Sequence, residues 1–140
     1  MLTQKKKKLL KNKAYINGTW VDAKNGKRFE VVNPSSGEVI VNVPDLDAND
    51  ARIAIDAAYK AFPHWSKKTA KERSIILNKF CKLMLENADD LAAILTAEMG
   101  KPLAEARGEI TYGASFIEWF AEEGKRVYGE TIPGHQEDKR

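Results

Sequence analysis

The chain has 140 residues, 43% of them hydrophobic and 31% charged, with one cysteine and a formal charge of +3. That length suffices for one domain with a core. The single cysteine excludes an intrachain disulfide framework, and no apolar run approaches the ~20 residues that span a bilayer.

The positive charge is local, because Lys5, Lys6, Lys7, Lys8, Lys11 and Lys13 all fall in the first thirteen residues and the rest is mildly acidic. Residues 1–13 read as a basic disordered arm. Such a run attracts nucleic acid or anionic lipid. No aromatic is interleaved and no second basic patch backs it, so a solvated terminus is expected, with neither nucleic acid nor membrane as a partner. No apolar stretch follows the lysines as it would in a secretory leader, so a cytoplasmic protein is expected.

Residues 14–44 read as a small antiparallel β-unit. Asn17-Gly18 sits between Ala14-Tyr15-Ile16 and Thr19-Trp20-Val21 as a hairpin turn. Phe29 to Val32 pairs with the β-branched run Val39 to Val43 across Asn33-Pro34-Ser35-Ser36-Gly37, a stretch dense in turn formers.

Four helices follow, which makes the fold α+β. Asp47 caps the first, with Asp50 three residues on. Ala54, Ala57, Ala58, Ala61 and Phe62 mark its face, and Pro63 is expected to stop it. Thr69 to Glu72 forms a capping box for the second, whose face carries Ile76, Phe80, Leu83 and Met84. Asn87 to Asp90 repeats the capping pattern ahead of Leu91, Ile94, Leu95 and Met99. Gly100 fits a C-terminal stop, and Pro102 fits the first position of the last helix.

That last helix, about residues 102–128, would be ~40 Å long. One stripe is small: Ala106, Ile110, Gly113, Ala114, Ile117, Ala121 and Gly124. A second is aromatic: Tyr112, Phe116 and Trp119, with Phe120 between the stripes. The apolar surface is wider than one amphipathic face requires, so packing on two sides is expected. Glu130 to Arg140 reads as the lead-in to a strand.

Little chemistry is visible. Cys81 falls near an apolar helix face, far in sequence from His64 and His135, which suits a structural thiol better than an activated nucleophile. No zinc-ligand spacing, GxGxxG or phosphate-cradling GxxxxGK[ST] occurs.

Larger patterns say more. Ile16-Asn17-Gly18-Thr19-Trp20, Asn33 to Glu38, Phe62-Pro63-His64-Trp65 and Glu98 to Ala106 resemble the opening of the aldehyde dehydrogenase superfamily. Ala114 to Arg126, followed by Tyr128 to Gln136, resembles its bacterial succinate-semialdehyde dehydrogenase subfamily. The resemblance covers residues 14–140 and implies the N-terminal part of an α/β enzyme. It implies residues 14–130 in the cofactor domain and residues 131–140 at the start of the oligomerisation strands.

The implied activity is NAD(P)-dependent oxidation of succinate semialdehyde to succinate. A cysteine thiolate attacks the aldehyde, hydride passes to the nicotinamide, and a glutamate-activated water hydrolyses the thioester. In the family those groups, and the cofactor loops, lie beyond the position matching Arg140, and Cys81 does not match the nucleophile. The segment alone is therefore expected to be inert, without its own catalytic, cofactor-binding or metal residues.

NADP or NAD would serve the complete enzyme. Its expected partners are the remainder of the dehydrogenase chain, further copies of itself and a small aldehyde. Tyr112 and Phe116 fall near positions that line the substrate tunnel, and core aromatics are the other reading of them. The alternative function is a non-catalytic partner-binding module or a split-gene remnant.

Overall fold

A computed structural model describes residues 9–130 and 135–137. The expected strand start at 131 and the Lys5–Lys8 run lie outside these. Lys13 pairs with Asp22 at 3.0 Å, and the Asn12 carbonyl accepts from Arg28 at 2.7 Å.

Two separate hairpins come first. Strand β1 (Ala14–Ile16) pairs antiparallel with β2 (Thr19–Val21). Asn17 and Gly18 both take positive φ, 50° and 78°, the backbone a two-residue hairpin turn requires. Strand β3 (Arg28–Val32) pairs with β4 (Val39–Pro44), with an irregularity between Val31 and Val32. Between them Asn33 Oδ1 accepts from the Ser35 N–H at 2.9 Å, the local bond that makes asparagine a turn former. Arg28 joins the hairpins by donating to Asp22 and, at 2.7 Å, to the Asn42 carbonyl.

Helix α1 (Ala48–Ser66) opens on a complete capping box. Asp47 accepts from the N–H groups of Asn49 and Asp50, and Asp50 accepts from that of Asp47. Pro63 does not end it, contrary to the sequence expectation. The helix continues to Ser66 because a proline this near the terminus removes only one backbone bond, and a single turn remains after it.

Helix α2 (Ala70–Glu86) starts at the Thr69–Glu72 box. Helix α3 (Ala88–Met99) follows almost without a break. Asn87 does not cap it. Its Nδ2 donates backward to the Leu83 carbonyl at 2.8 Å, finishing α2 instead of starting α3. Gly100, at φ 77°, ends α3 in the left-handed conformation expected of a C-terminal glycine.

Helix α4 (Leu103–Glu123) begins at the residue after Pro102 and ends at Glu123, five residues short of the expected end, with Gly124 as its C-terminal cap. Its length is ~30 Å. Lys125 and Arg126 turn back through N–H bonds to the Glu122 and Glu123 carbonyls.

Helix α4 packs against α2 and α3, while α1 touches β1 only lightly. The described hydrophobic core consists of small side chains: Ala23, Cys81, Ala88, Ala92, Ala106, Ala114 and Ala121. The large apolar residues lie outside it, the reverse of an ordinary self-sufficient domain. Helix α2 shows the pattern. Ser74, Cys81 and the half-buried Leu77 and Met84 face inward, whereas Ile76, Phe80 and Leu83, expected on the packed face with Met84, stay exposed. Small side chains at Ser74 and Cys81 let α4's alanines approach.

Candidate functional site

Along α4 successive residues advance about 100°, so positions 106, 110, 113, 117 and 121 share one side and 112, 116 and 119 the other. The structure realises both stripes. Ala106, Ala114 and Ala121 are buried against α2 and α3, with Met84 Cε 3.9 Å from where a Cβ on Gly113 would sit. Tyr112, Phe116, Trp119 and Phe120 point away, with exposures between 47% and 64%.

Tyr112 and Phe116 meet edge to face, ring centroids 4.8 Å apart at 80°, as the ring quadrupoles prefer. Ser115 Oγ donates to the Tyr112 carbonyl at 2.7 Å, which keeps its polar atom on the helix and leaves the surface beside the rings apolar. Two open concavities run along this side. One is lined by Ala104, Arg107, Gly108, Thr111, Tyr112 and Ser115. The other continues past Phe116, Trp119 and Phe120 toward Arg126. The sequence reading placed Tyr112 and Phe116 in a candidate site; the structure sets Trp119 and Phe120 on the same concave strip. The i, i+4, i+7 spacing of 112, 116 and 119 was the available signal.

Glu118 lines the second concavity, and other charges bordering the strip stand in pairs. Glu109 accepts from Lys101 at 2.6 Å, and this hydrogen bond pushes the Lys101 amine above its ordinary value. Arg126 pairs with Glu123, which raises Arg126 in turn. The Lys125 ammonium, hydrogen-bonded to Glu122, holds that carboxyl below the usual range, and Asn78 of α2 adds to the effect.

Among the described residues no nucleophile and base converge. Cys81 is 5% exposed, packed between helices rather than open to a ligand. Among the described residues no three His, Cys, Asp or Glu side chains cluster as metal ligands, and no helix is long and apolar enough to cross a membrane. Gly18, Gly26, Gly37 and Gly100 serve hairpins, a turn and a helix stop.

The aldehyde dehydrogenase family model matches residues 20–140. The chain belongs to the aldehyde dehydrogenase family. It is 61% identical over 132 residues to the glutarate-semialdehyde dehydrogenase of Pseudomonas putida, covering 94% of this chain and 28% of that one. It is 58% identical over 132 residues to the NADP-dependent succinate-semialdehyde dehydrogenase of Escherichia coli, covering 94% and 27%. A 3-sulfolactaldehyde dehydrogenase of Pseudomonas putida is 53% identical over 140 residues, 100% of this chain and 29% of that one. The crystal structure of an E. coli NADP-dependent enzyme superposes with a TM-score of 0.92 at 57% identity, over 94% of this chain and 27% of the other. The chain thus spans less than a third of the length of the aldehyde dehydrogenases it matches.

Proposed function

We propose that this chain forms the N-terminal part of an NAD(P)-dependent semialdehyde dehydrogenase, and that the complete enzyme oxidises succinate semialdehyde to succinate. The carrying observation is sequence identity of 58–61% sustained over 132 residues with relatives named for semialdehydes. Their names, with that of the sulfolactaldehyde enzyme, share one chemistry: a short aldehyde with an anionic group at its far end. Glutarate semialdehyde is the alternative substrate, longer by one methylene. A hydrophobic pocket separates such pairs by only about 1–3 kcal/mol.

A nicotinamide cofactor, when bound, accepts the hydride as the aldehyde becomes an acid. On the family resemblance, cofactor binding and the chemical step are assigned to the rest of the enzyme. The role assigned to this segment is structural and steric. The Tyr112–Phe116 pair, stiffened by its edge-to-face contact, is proposed to line the approach of the substrate. On the family resemblance the complete enzyme is a cytoplasmic dimer or tetramer.

The test is to express the whole reading frame, including whatever follows codon 140, and to measure NADPH and NADH formation. The substrates are succinate semialdehyde, glutarate semialdehyde, 3-sulfolactaldehyde and the neutral propanal. A kcat/KM at least tenfold higher for the anionic aldehydes is expected, with succinate semialdehyde first and no turnover by the isolated 140-residue chain. Preference for propanal, or turnover by the isolated chain, refutes the proposal.

A further inference from the structure

The positive charge of the chain gathers around its first hairpin. Residues 1–28 hold nine lysines and arginines and one acid, whereas the remainder holds fourteen basic and nineteen acidic side chains. The one acid, Asp22, is answered twice, by Lys13 at 3.0 Å and by Arg28. Arg28 also donates to the Asn12 carbonyl at 2.7 Å, which holds the stretch from Lys11 to Lys13 beside the hairpins.

The lysine run has no aromatic among its own residues, and strand pairing supplies two. Tyr15 and Trp20 are cross-strand partners in β1 and β2, so their side chains stand on one face. The ring centroids are 5.2 Å apart at 56°, and Lys11 Nζ lies 5.6 Å from the centre of the Trp20 ring, within reach of its π-face. Ala14, Ile16 and Val21 are half-buried, whereas Tyr15 is 63% and Trp20 47% exposed. Two flat rings are thus held open to solvent among cations.

We propose that the Tyr15–Trp20 face, with the lysines around it, binds single-stranded nucleic acid. Bases stack on the rings, and lysines meet the phosphates on either side. A duplex suits this face poorly, because its bases are already stacked on one another. A membrane suits it poorly too. Among residues 9–28 the exposed large apolar side chains are Tyr15 and Trp20, and no exposed aliphatic group is there to enter the acyl region. Leu9 and Leu10 are themselves half-buried. The inference does not depend on the dehydrogenase reading.

The test titrates the product of the whole reading frame into fluorescein-labelled oligo(dT) and oligo(U) of about 15 nucleotides, at several salt concentrations, and follows anisotropy. Binding of at least one of the two strands is expected, about tenfold or more tighter than binding of a duplex of equal length. Tyr15→Leu/Trp20→Leu keeps apolar bulk but loses the flat rings, and should weaken binding about tenfold or more without changing its salt dependence. Tyr15→Phe/Trp20→Phe keeps both π-faces and should stay within about twofold. Replacing Lys5, Lys6, Lys7 and Lys8 by serine should reduce the slope of log K against log salt by about 3, at ~0.7 per phosphate contact on a single strand. Circular dichroism melting checks that each variant keeps its fold.

No binding of either strand at low salt overturns the proposal. A leucine pair that binds as tightly as the unaltered chain also overturns it, because only diffuse attraction to the lysines then remains. Loss of binding by a folded phenylalanine pair does the same, since the stacking surface is still present. Capture on vesicles of phosphatidylcholine and phosphatidylserine that excess oligo(dT) fails to displace assigns the face to a membrane instead.

Discussion

Replacing Gly100 by alanine probes the point where the second hairpin meets the helices. Gly100 sits at φ 77°, and a Cβ built on it would lie 3.0 Å from Pro34 Cγ and 4.0 Å from Pro34 Cβ. Left-handed backbone costs an alanine about 1–2 kcal/mol. Lower entropy of the unfolded chain returns about 0.4–1 kcal/mol of that. The Pro34 contact adds a packing penalty, at the low end of the roughly 1–3 kcal/mol typical of overfilled sites.

The expected loss is therefore about 2 kcal/mol, or a fall in Tm of roughly 8 °C for a chain of this size. Gly26 is the control, because it has φ 69° but nothing within 4 Å of its added Cβ. Gly26→Ala should lose only about 0.5–1 kcal/mol, from the backbone alone. In Gly100→Ala/Pro34→Ala the nearest atom becomes the more distant Cβ, so the two substitutions should be non-additive by about 1 kcal/mol. Urea unfolding followed by circular dichroism measures all four variants. Equal losses at Gly26 and Gly100, or additivity with Pro34→Ala, would refute the reasoning from close approach.

Asp47→Ala removes a complete capping box and should cost about 1 kcal/mol in the same assay. Ala114→Leu forces bulk into the buried α2–α4 seam and should cost about 1–3 kcal/mol, whereas Trp119→Ser, on the outer side, should stay within about 0.5 kcal/mol. Glu72 is held below its ordinary 4.5 by hydrogen bonds from the Thr69 N–H and hydroxyl. Its contribution is therefore present above that value and is lost as pH falls through the lowered one. Glu72→Gln, which removes the titrating carboxylate, should flatten the acid limb of a Tm-versus-pH curve, and an unchanged limb would count against the box. Cys81 should react with a thiol reagent at least tenfold more slowly in the folded chain than in urea, as its burial requires.

Sequence alone carried the local decisions. Asn17-Gly18 meant a tight hairpin because few residues other than glycine and asparagine adopt positive φ cheaply. Asp47 and Thr69, each three residues before an acid, meant helix starts because those side chains reach orphan N–H groups within one turn. Residues 112, 116 and 119 meant an aromatic side of α4, since helical period is a property of the chain itself. The family, too, was legible in runs such as Glu98 to Ala106.

Where local signals competed, the tertiary structure decided. Pro63 could end α1 or sit in its last turn, and Asn87 could cap α3 or close α2, each choice differing by about one hydrogen bond. On α2 the apolar arc was wider than the contact. Which part of it faced α4 depended on fit against Ala114 and Ala121, so Ser74 and Cys81 turned inward while Ile76 and Phe80 stayed out. Packing is a relation between segments distant in sequence. Its selection of small side chains for close helix approach is therefore invisible to any periodicity read along one helix.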